Sequence, residues 1–286
     1  MWTQIVGKVK LELAPFLNEW WQVAFHLSAR GMTTGPIPYQ GRAFEVIFDF
    51  LDHNLLVHSS DGRTETLPLI PRTVANLYAE LMAALRALGI EVTINPVPCE
   101  VPDPVPCHED EVHASYDPEY VQRWWRIQLR TDAVLQRYRS AFVGKSSPIQ
   151  FFWGSFDLSH TRFSGRPAPL AEGMPRFFQL AEDQENFACG FWPGNVNFAG
   201  ITVGEPTFYS YIYPEPEGFR EAAVRPGAAR YDSRLGEFVL PYEAVRTAGS
   251  PEETLLDFFQ STYEAAATLA RWDRDALERR LRTAAV

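Results

Sequence analysis

The stretch FFWGSFDLSHTRFSG, residues 151–165, says more about the fold than any other part of the chain. Its apolar and polar side chains alternate at a spacing of two: Phe152, Phe156 and Leu158 share one face, and Trp153, Ser155 and Asp157 share the other. Such alternation is typical of a β-strand with one buried face. The polar end of the stretch, which closes on a glycine, is typical of a turn. We therefore predict a half-buried strand over residues 151–159.

A second stretch, WWQVAFHLS at residues 20–28, matches residues 151–159 without a gap. An aromatic pair opens both stretches, and the pattern Phe-x-Leu-Ser closes both. An arginine follows each copy, Arg30 in one and Arg162 in the other, and each half later runs through a Leu-Pro pair into a long helical pattern. We interpret this as an internal duplication whose repeats are related by a pseudo-twofold axis. Chance similarity between two aromatic strands is the alternative.

The two halves of the chain show the same order of periodic patterns, with strands first and helices afterwards. Period-two patterns predict strands over residues 20–28, 44–50, 55–59, 64–69, 91–95, 150–159, 187–192, 207–213 and 237–240. Apolar stripes at helical spacing predict helices over residues 1–19, 71–89 and 117–142, and two more that begin near residues 251 and 273. This order favours an α+β fold, with an antiparallel sheet and long helices packed on one of its faces, over a doubly wound parallel sheet.

The domain organisation follows from the proposed duplication. We expect a first repeat at residues 1–106, a linking helix within residues 107–147 and a second repeat at residues 148–286. Five prolines between residues 96 and 106 indicate a stiff extended crossing ahead of the linking helix. A chain of 286 residues is long enough for one large domain or two fused small ones. We expect one compact globular unit.

Composition and charge exclude several classes of partner. Hydrophobic residues make up 46% of the chain and charged residues 22%, which is typical of a soluble globular protein. The net charge of −10 argues against nucleic acid and against an anionic membrane surface, because both require a surplus of Lys and Arg. The start of the chain lacks the pattern of a secretory signal. Three cysteines, an odd and sparse set, favour a reduced, cytoplasmic setting.

Equivalent positions in the two repeats supply a candidate catalytic pair. His26 and Asp157 occupy matching places, and a pseudo-twofold axis would bring a histidine next to a carboxylate, which makes a general base. Arg30 and Arg162 lie just beyond the matched stretches and would clamp an anionic ligand between the repeats. The alternative is an exposed sheet face with ordinary polar residues.

Aromatic residues supply the candidate ligand-binding surface. Tyr209, Tyr211 and Tyr213 share one face of a predicted strand, and flat rings with hydroxyls suit a sugar-like ligand. Of these we choose Tyr211, together with Tyr39, Trp153 and Trp192. Cross-strand packing explains the tyrosines equally well. The carboxylates of Glu215 and Glu217 are of the type that glycoside hydrolysis uses, but a Pro/Glu turn is the simpler interpretation.

The sequence contains no motif that predicts a metal site or a particular cofactor. Cys99, Cys107, His108 and His113 lack the spacing of a zinc knuckle, so we expect loop residues and no metal site. We find no glycine-rich phosphate loop, no dinucleotide fingerprint and no Gly-x-Ser-x-Gly motif. The cofactor is therefore left unknown.

Several longer motifs resemble those of a known family. They are WGSFDL at residues 153–158, TRFSG at 161–165, GFWPG at 190–194 and QSTYEAA at 260–266, joined by ARGMTT at 29–34 and HASYDP at 113–118. The chain resembles, over nearly its whole length, a bacterial family carried only as a domain of unknown function. The resemblance implies a bacterial, cytoplasmic protein and brings no activity or cofactor. The family pattern often has His where this chain has Gln150 and Gln184.

Two hypotheses of function follow from the sequence. The first is a protein that binds an anionic or sugar-like small molecule, or an enzyme that acts on one, with its site in a cleft between the repeats. The second is a non-catalytic interaction or structural protein that acts through an aromatic surface or as a homo-oligomer. The residues leave open whether the protein is an enzyme.

Overall fold

A computed structural model describes residues 1–170, 173, 176–196 and 200–279 of the protein. The helices are α1 (Trp2–Leu13), α2 (Val74–Ala87), α3 (Pro118–Ser140), α4 (Arg176–Ala181), α5 (Tyr242–Arg246), α6 (Pro251–Leu269) and α7 (Arg274–Leu277). The strands are β1 (His26–Ser28), β2 (Gly31–Thr33), β3 (Ile37–Tyr39), β4 (Arg42–Asp49), β5 (Asn54–Ser59), β6 (Thr64–Pro68), β7 (Gln150–Phe152), β8 (Asp157–Pro167), β9 (Gln184–Trp192), β10 (Asn195–Val196), β11 (Thr202–Val203), β12 (Thr207–Tyr213), β13 (Arg230–Asp232) and β14 (Glu237–Pro241). The main sheets are antiparallel, which confirms the predicted α+β class.

The chain divides into two structural units. The first unit consists of residues 1–129, 150–156 and 196–200. The second unit consists of residues 130–149, 157–195 and 201–286. The predicted segments, 1–106, 107–147 and 148–286, stay a prediction, as does the internal duplication. Among the described residues, no helix is long and apolar enough to cross a membrane.

The first unit is built on an antiparallel meander in the order β1-β2-β4-β5-β6. Strand β3 also pairs with β4, along a different part of β4 from the part that pairs with β2. Phe44, Val46 and Phe48 of β4 are buried, which confirms the alternation predicted for this strand. α2 begins after Thr73, whose side chain accepts a hydrogen bond from the Asn76 amide at 3.1 Å. The helix therefore begins three residues after the predicted start at residue 71. The first amide groups of a helix need a hydrogen-bond acceptor, and the side chain of Thr73 supplies one.

α1 lies in the interior of the first unit, and eight consecutive residues, Thr3–Lys10, are buried. Gly7 lets the indole of Trp153 lie directly against the helix backbone, because a Cβ at this position would overlap with the ring. The indole Nε1 donates a hydrogen bond to the Val23 carbonyl at 2.9 Å. The side-chain amide of Gln4 also bridges α1 to the backbone of Cys99, donating to its carbonyl at 3.0 Å. Trp153 is therefore a core residue of the first unit.

The second unit is built on an antiparallel sheet in the order β13-β14-β12-β9-β8. Strand pairing places Tyr209 opposite Gly190 and Gly190 opposite Ser159, so these three residues form one row across the sheet. The next row consists of Ser210, Cys189 and His160. Because successive side chains of a strand point to opposite faces, the two rows lie on different faces.

The face with the second row carries the core of the second unit. Phe208 of β12 packs edge-on against Phe259 of α6, and Phe187 of β9 packs in the same way against Tyr263. α6 begins with Pro251 at its first turn, as predicted, and its inner stripe is buried. We call this side, which carries Phe208, Cys189 and His160, the inner sheet face. We call the opposite side, which carries Tyr209, Tyr211 and Asp157, the polar sheet face.

Two predicted strands are wrong over part of their length. Residues 18–20 form a 3-10 turn in which Glu19 and Trp20 have positive φ, so the strand predicted over residues 20–28 covers only His26–Ser28. The strand predicted over residues 151–159 is interrupted by a turn at 153–156, in which Phe156 has a φ of 66°. A left-handed residue cannot continue a strand, and apolar alternation alone does not reveal it.

The strand predicted over residues 91–95 is also wrong, because the segment is extended but pairs with no strand among the described residues. A side chain satisfies part of its backbone instead. The Tyr39 hydroxyl accepts a hydrogen bond from the Glu91 amide at 2.9 Å and donates to the Glu91 carbonyl at 3.3 Å. The alternation of side chains thus predicts an extended backbone correctly. The hydrogen-bond partner of that backbone, however, is the phenol of Tyr39 and not a neighbouring strand.

The contact between Gly7 and Trp153 gives a prediction with a diagnostic sign. Gly7→Ala should lower the free energy of unfolding by about 1–3 kcal/mol, because the added Cβ overpacks the indole. At an unobstructed helix position the same change would stabilise by about 1 kcal/mol. Urea unfolding monitored by tryptophan fluorescence measures the difference.

The control is Gly7→Ala in a Trp153→Ala background. Because the indole is then absent, Gly7→Ala should lower the free energy of unfolding little or should raise it. Equal costs in both backgrounds would contradict the packing argument.

Candidate functional site

The polar sheet face gathers hydroxyl and carboxyl groups on one side of the second unit. β12 contributes Tyr209 and Tyr211, whose rings stack with centroids 6.4 Å apart and an interplanar angle of 16°. β8 contributes Asp157 and Ser159, and both are buried. β14 contributes Glu237, one position beyond the paired residues Ser210 and Phe238. Alternation along each strand brings these side chains to the same face.

Gly190 connects the tyrosines to Asp157. It stands between Tyr209 and Ser159 in the central strand β9 and has no side chain, so the phenol of Tyr209 lies across this strand. A Cβ at Gly190 would lie 2.7 Å from the Tyr209 hydroxyl and would overlap with the Leu158 carbonyl. The hydroxyl donates a hydrogen bond of 2.5 Å to Asp157 Oδ2. Only glycine permits this approach between β12 and β8.

The phenols of this face stay protonated. Burial raises the pKa of Tyr209 well above its usual value, and the negative charge of Asp157 raises it further. Burial likewise raises the pKa of Tyr211, and the nearby carboxylates of Glu182 and Glu237 add to this effect. The Tyr211 hydroxyl lies 3.5 Å from Glu182 Oε1, which is long for a hydrogen bond. Both hydroxyls therefore act as hydrogen-bond donors at neutral pH.

Glu237 is a carboxyl group of the face with a raised pKa. Burial raises its pKa to about 8, and the negative charges of Asp157 and Asp232 act in the same direction. Asp232 lies directly opposite Glu237 in the pairing of β13 with β14 and forms an ion pair of 2.7 Å with Arg234. Among the described residues the Glu237 side chain has no hydrogen bond and no ion pair. At neutral pH it carries a proton that it can donate to a bound molecule.

The inner sheet face holds a second set of polar groups, but they are enclosed. His160, Cys189 and Ser210 have no solvent exposure, and burial lowers the pKa of His160 to about 3. Neither ring nitrogen of His160 has a partner among the described residues, and the Ser210 hydroxyl also has none. Burial raises the pKa of Cys189 to about 12. A neutral imidazole and a protonated thiol without access to solvent do not form a nucleophilic pair.

Four of the sequence-predicted site residues lie in the first unit. Arg30 forms ion pairs with Asp49 at 2.7 Å and with Asp52 at 2.6 Å. Tyr39 is engaged with the backbone of Glu91, and Trp153 is 4% exposed in the core. His26 opens β1, opposite Thr33. Binding roles for Arg30, Tyr39 and Trp153 and a catalytic role for His26 stay predictions, although the first three already have structural partners.

The other four lie in the second unit, and the structure separates them by face. Asp157, Tyr211 and Trp192 share the polar sheet face, since Trp192 lies two residues beyond Gly190 on β9. Arg162 lies on the inner sheet face and is 1% exposed. Its guanidinium carbon is 3.4 Å from the centroid of the Tyr138 ring and 4.3 Å from that of Tyr263.

This placement weakens the predicted anion clamp of Arg30 with Arg162. The guanidinium of Arg162 donates a short hydrogen bond to the Tyr138 carbonyl and is enclosed by aromatic rings. Cation–π contacts of this kind stabilise a buried charge. A clamp needs a guanidinium that a ligand can reach, so the clamp stays a prediction that these surroundings do not support.

The remaining candidates from the sequence have ordinary surroundings. Glu215 forms an ion pair of 2.5 Å with Arg220 and accepts a hydrogen bond from Tyr231, so it is a structural partner. Groups of three or more His, Cys, Asp or Glu side chains that could hold a metal ion are absent from the part of the chain that is described. Gln150 opens β7 and is buried, and Gln184 opens β9 and is half-buried.

Sequence reasoning missed Glu237 and the role of Gly190. In the sequence Glu237 only begins a predicted strand, because a single carboxylate at the start of a strand carries no signal of its own. Gly190 begins the motif GFWPG. A glycine inside a strand pattern does indicate close approach of another group, and this signal was available.

The polar sheet face brings hydrogen-bond donors and acceptors together. Tyr211 and the protonated Glu237 supply donors, while Asp157 supplies an acceptor. A carboxyl group with a raised pKa near a second carboxyl group is an arrangement that general acid–base catalysis uses. The carboxylates Glu182, Asp157 and Asp232 make the face unfavourable for an anion.

Comparisons with known proteins identify a family and nothing more specific. A family model described as a family of unknown function, DUF5996, matches residues 1–279. Nothing matches among the curated proteins or among the solved structures that were compared with the chain.

The hydrogen bond between Tyr209 and Asp157 predicts unequal effects of removing two hydroxyls. Tyr209→Phe should lower the free energy of unfolding by about 1.5–3 kcal/mol, because it leaves a buried carboxylate without this donor. Tyr213→Phe is the matched control on the same strand, and its hydroxyl donates only to the more exposed Pro169 carbonyl. Chemical denaturation of both variants measures the difference, and equal costs would contradict the assignment.

The raised pKa of Glu237 predicts how stability depends on pH. The folded protein retains a proton that the unfolded chain releases above its ordinary pKa of 4.5, so stability is lost as pH rises from 4.5 toward 8. Glu237→Gln cannot ionise and should be more stable than the native chain by about 1–3 kcal/mol at pH 8, with the difference vanishing near pH 4.

Unfolding curves between pH 4 and 8 test this prediction. The matched control is Glu221→Gln, which alters an exposed carboxylate of the same unit and should show no such trend. A pH-independent difference between Glu237→Gln and the native chain would show that Glu237 titrates normally.

Proposed function

The chain belongs to the family of unknown function DUF5996, and we propose that its second unit binds a neutral, hydroxyl-rich small molecule on the polar sheet face. A sugar or a related polyol is the ligand class that fits best. The observation that carries the proposal is the Glu237 carboxyl, whose raised pKa favours the protonated form and whose side chain has no hydrogen bond or ion pair among the described residues. The reaction that Glu237 and Asp157 support is proton transfer to and from the bound molecule.

The donors and acceptors of the face match hydroxyl groups. A hydroxyl both donates and accepts, and the face offers the acceptor Asp157 next to the donors Tyr211 and Glu237. The half-buried ring of Tyr211 stacks on the buried ring of Tyr209, and it offers the kind of flat apolar surface that packs against the C–H side of a sugar ring. Trp192 belongs to the same face and extends that surface.

Charge favours one of the two ligand classes that the sequence left open. Asp157, Glu182 and Asp232 lie on or beside the face, and Asp157 accepts a hydrogen bond from the neutral phenol of Tyr209. An anionic ligand would meet like charge with little screening. A neutral, sugar-like ligand therefore fits this face better than an anionic one.

The setting of the protein completes the proposal. The three cysteines are free thiols, and Cys107 and Cys189 are buried, which fits a reducing, cytoplasmic location. The net charge of −10 disfavours nucleic acid as a partner. A homo-oligomer stays a prediction from the sequence.

Ligand-observed NMR tests the proposal directly. We expect saturation transfer to at least one member of a panel of neutral monosaccharides and methyl glycosides at pH 6.5, where Glu237 is protonated. Tyr211→Phe and Glu237→Gln should each weaken binding by about 3- to 30-fold, the equivalent of one hydrogen bond to a neutral group. Glu221→Gln should bind as the native chain does.

The same panel separates binding from catalysis. The assay measures the rate at which 4-nitrophenyl glycosides are hydrolysed. If this rate falls as pH passes 8 and Glu237→Gln abolishes it, Glu237 is a general acid. Binding without turnover would make the face a receptor site. No binding to any neutral saccharide, or binding that is unchanged in both variants, would refute the proposed function and favour the interaction protein.

A further inference from the structure

The first unit contains a pocket that the proposed function does not use. It measures about 460 Å³ and lies against α2, within the size range of small-molecule sites. Tyr78, Ala79 and Met82 line it from the helix, and Val92 and Thr93 line it from the extended segment that follows. That segment is the one predicted as a strand, and its lack of strand pairing leaves these two residues available to form a wall.

The floor of the pocket is a second face of α2. The buried stripe of this helix consists of Leu77, Leu81 and Leu85. In the structure Tyr78 is half-buried and faces the pocket, with its ring centroid 6.0 Å from that of His108 at an angle of 47°. The two rings form a side wall against which a flat apolar group can pack.

The charge in this pocket differs from that of the chain as a whole. Arg86 is one of the lining residues, and none of the side chains that line the pocket is a carboxylate, although the chain carries a net charge of −10. Outside the lining, Glu109 Oε1 lies 3.2 Å from His108 Nε2. The local field therefore favours an anion near Arg86.

Three polar side chains of the pocket have no hydrogen-bond partner among the described residues. Among the described residues, the Arg86 guanidinium, the Tyr78 hydroxyl and the Thr93 hydroxyl make no hydrogen bond and no ion pair. Other arginines of the first unit are engaged, as Arg42 and Arg63 are with Asp61. A planar guanidinium without a carboxylate partner matches the geometry of a carboxylate with two parallel hydrogen bonds.

We propose that this pocket binds a small monocarboxylate with a flat apolar body, such as an aromatic carboxylic acid. The carboxylate pairs with Arg86, and the ring packs between Met82 on the floor and Tyr78 on the side wall. One arginine supplies one full positive charge, which suits a single carboxylate better than a doubly charged phosphate. This site lies entirely in the first unit and does not depend on the proposed function of the second.

Isothermal titration of the full chain with benzoate, indole-3-acetate and inorganic phosphate tests the proposal. We expect one of the two carboxylates to bind with a stoichiometry of one and phosphate alone to bind at least about tenfold more weakly. Arg86→Ala should weaken carboxylate binding by about tenfold or more. Arg86 is exposed on a helix, and Ala is the best helix former, so this variant should fold.

Two further variants make the test decisive. Ala79→Trp fills the pocket from an exposed helix position and should abolish binding, while Arg123→Ala removes an exposed arginine outside the pocket and should leave binding unchanged. Glu237→Gln should also bind the carboxylate normally, which separates this site from the one in the second unit. No carboxylate binding up to about 10 mM, or binding that Arg86→Ala and Ala79→Trp leave unaltered, would overturn the proposal. Tighter binding of phosphate than of both carboxylates would overturn it as well.

Discussion

The hydrogen bond from Tyr209 to Asp157 depends on the absence of a side chain at Gly190, and the site of the second unit depends on that bond. β12 and β8 are not neighbours, since β9 lies between them, and a Cβ in the middle of β9 would keep the phenol from the carboxylate. With glycine in this position, the hydroxyl reaches Asp157 at 2.5 Å. The bond fixes the carboxyl group of Asp157 in a buried place, and the Coulombic effect of Asp157 contributes to the raised pKa of Glu237.

Alternation along the same strands separates two chemical environments. Asp157 belongs to the polar sheet face, whereas His160 and Arg162 of the same strand belong to the inner sheet face with the aromatic core. Burial acts on both sides but in opposite directions, because it favours the neutral form of every group: it raises the pKa of Glu237 and lowers that of His160. Arg162 keeps its charge, and the rings of Tyr138 and Tyr263 enclose it.

The two proposed sites differ in charge in a way that suits different ligands. Carboxylates dominate the polar sheet face of the second unit, so a neutral ligand with hydroxyl groups fits there. The pocket against α2 in the first unit offers Arg86 and no carboxylate lining, so an anion fits there. The sequence suggested both ligand classes, anionic and sugar-like, for a single site. Our proposals assign each class to a different unit, because each unit arranges its own charges.

The sequence by itself determined the fold class and most elements, because burial imposes a period that can be read directly. The β4 alternation at Phe44, Val46 and Phe48 and the strand at Thr207–Tyr213 follow from such periods, as do the long helices. It also placed Asp157, Tyr211 and Trp192 among the candidate residues, and these share one face. Only the tertiary structure decided that Trp153 is a core residue, that Arg162 is enclosed by rings, and that Glu237 is the perturbed acid. Those outcomes depend on which groups from distant parts of the chain surround a side chain. Exposure and pKa are properties of that environment, and no local period encodes them.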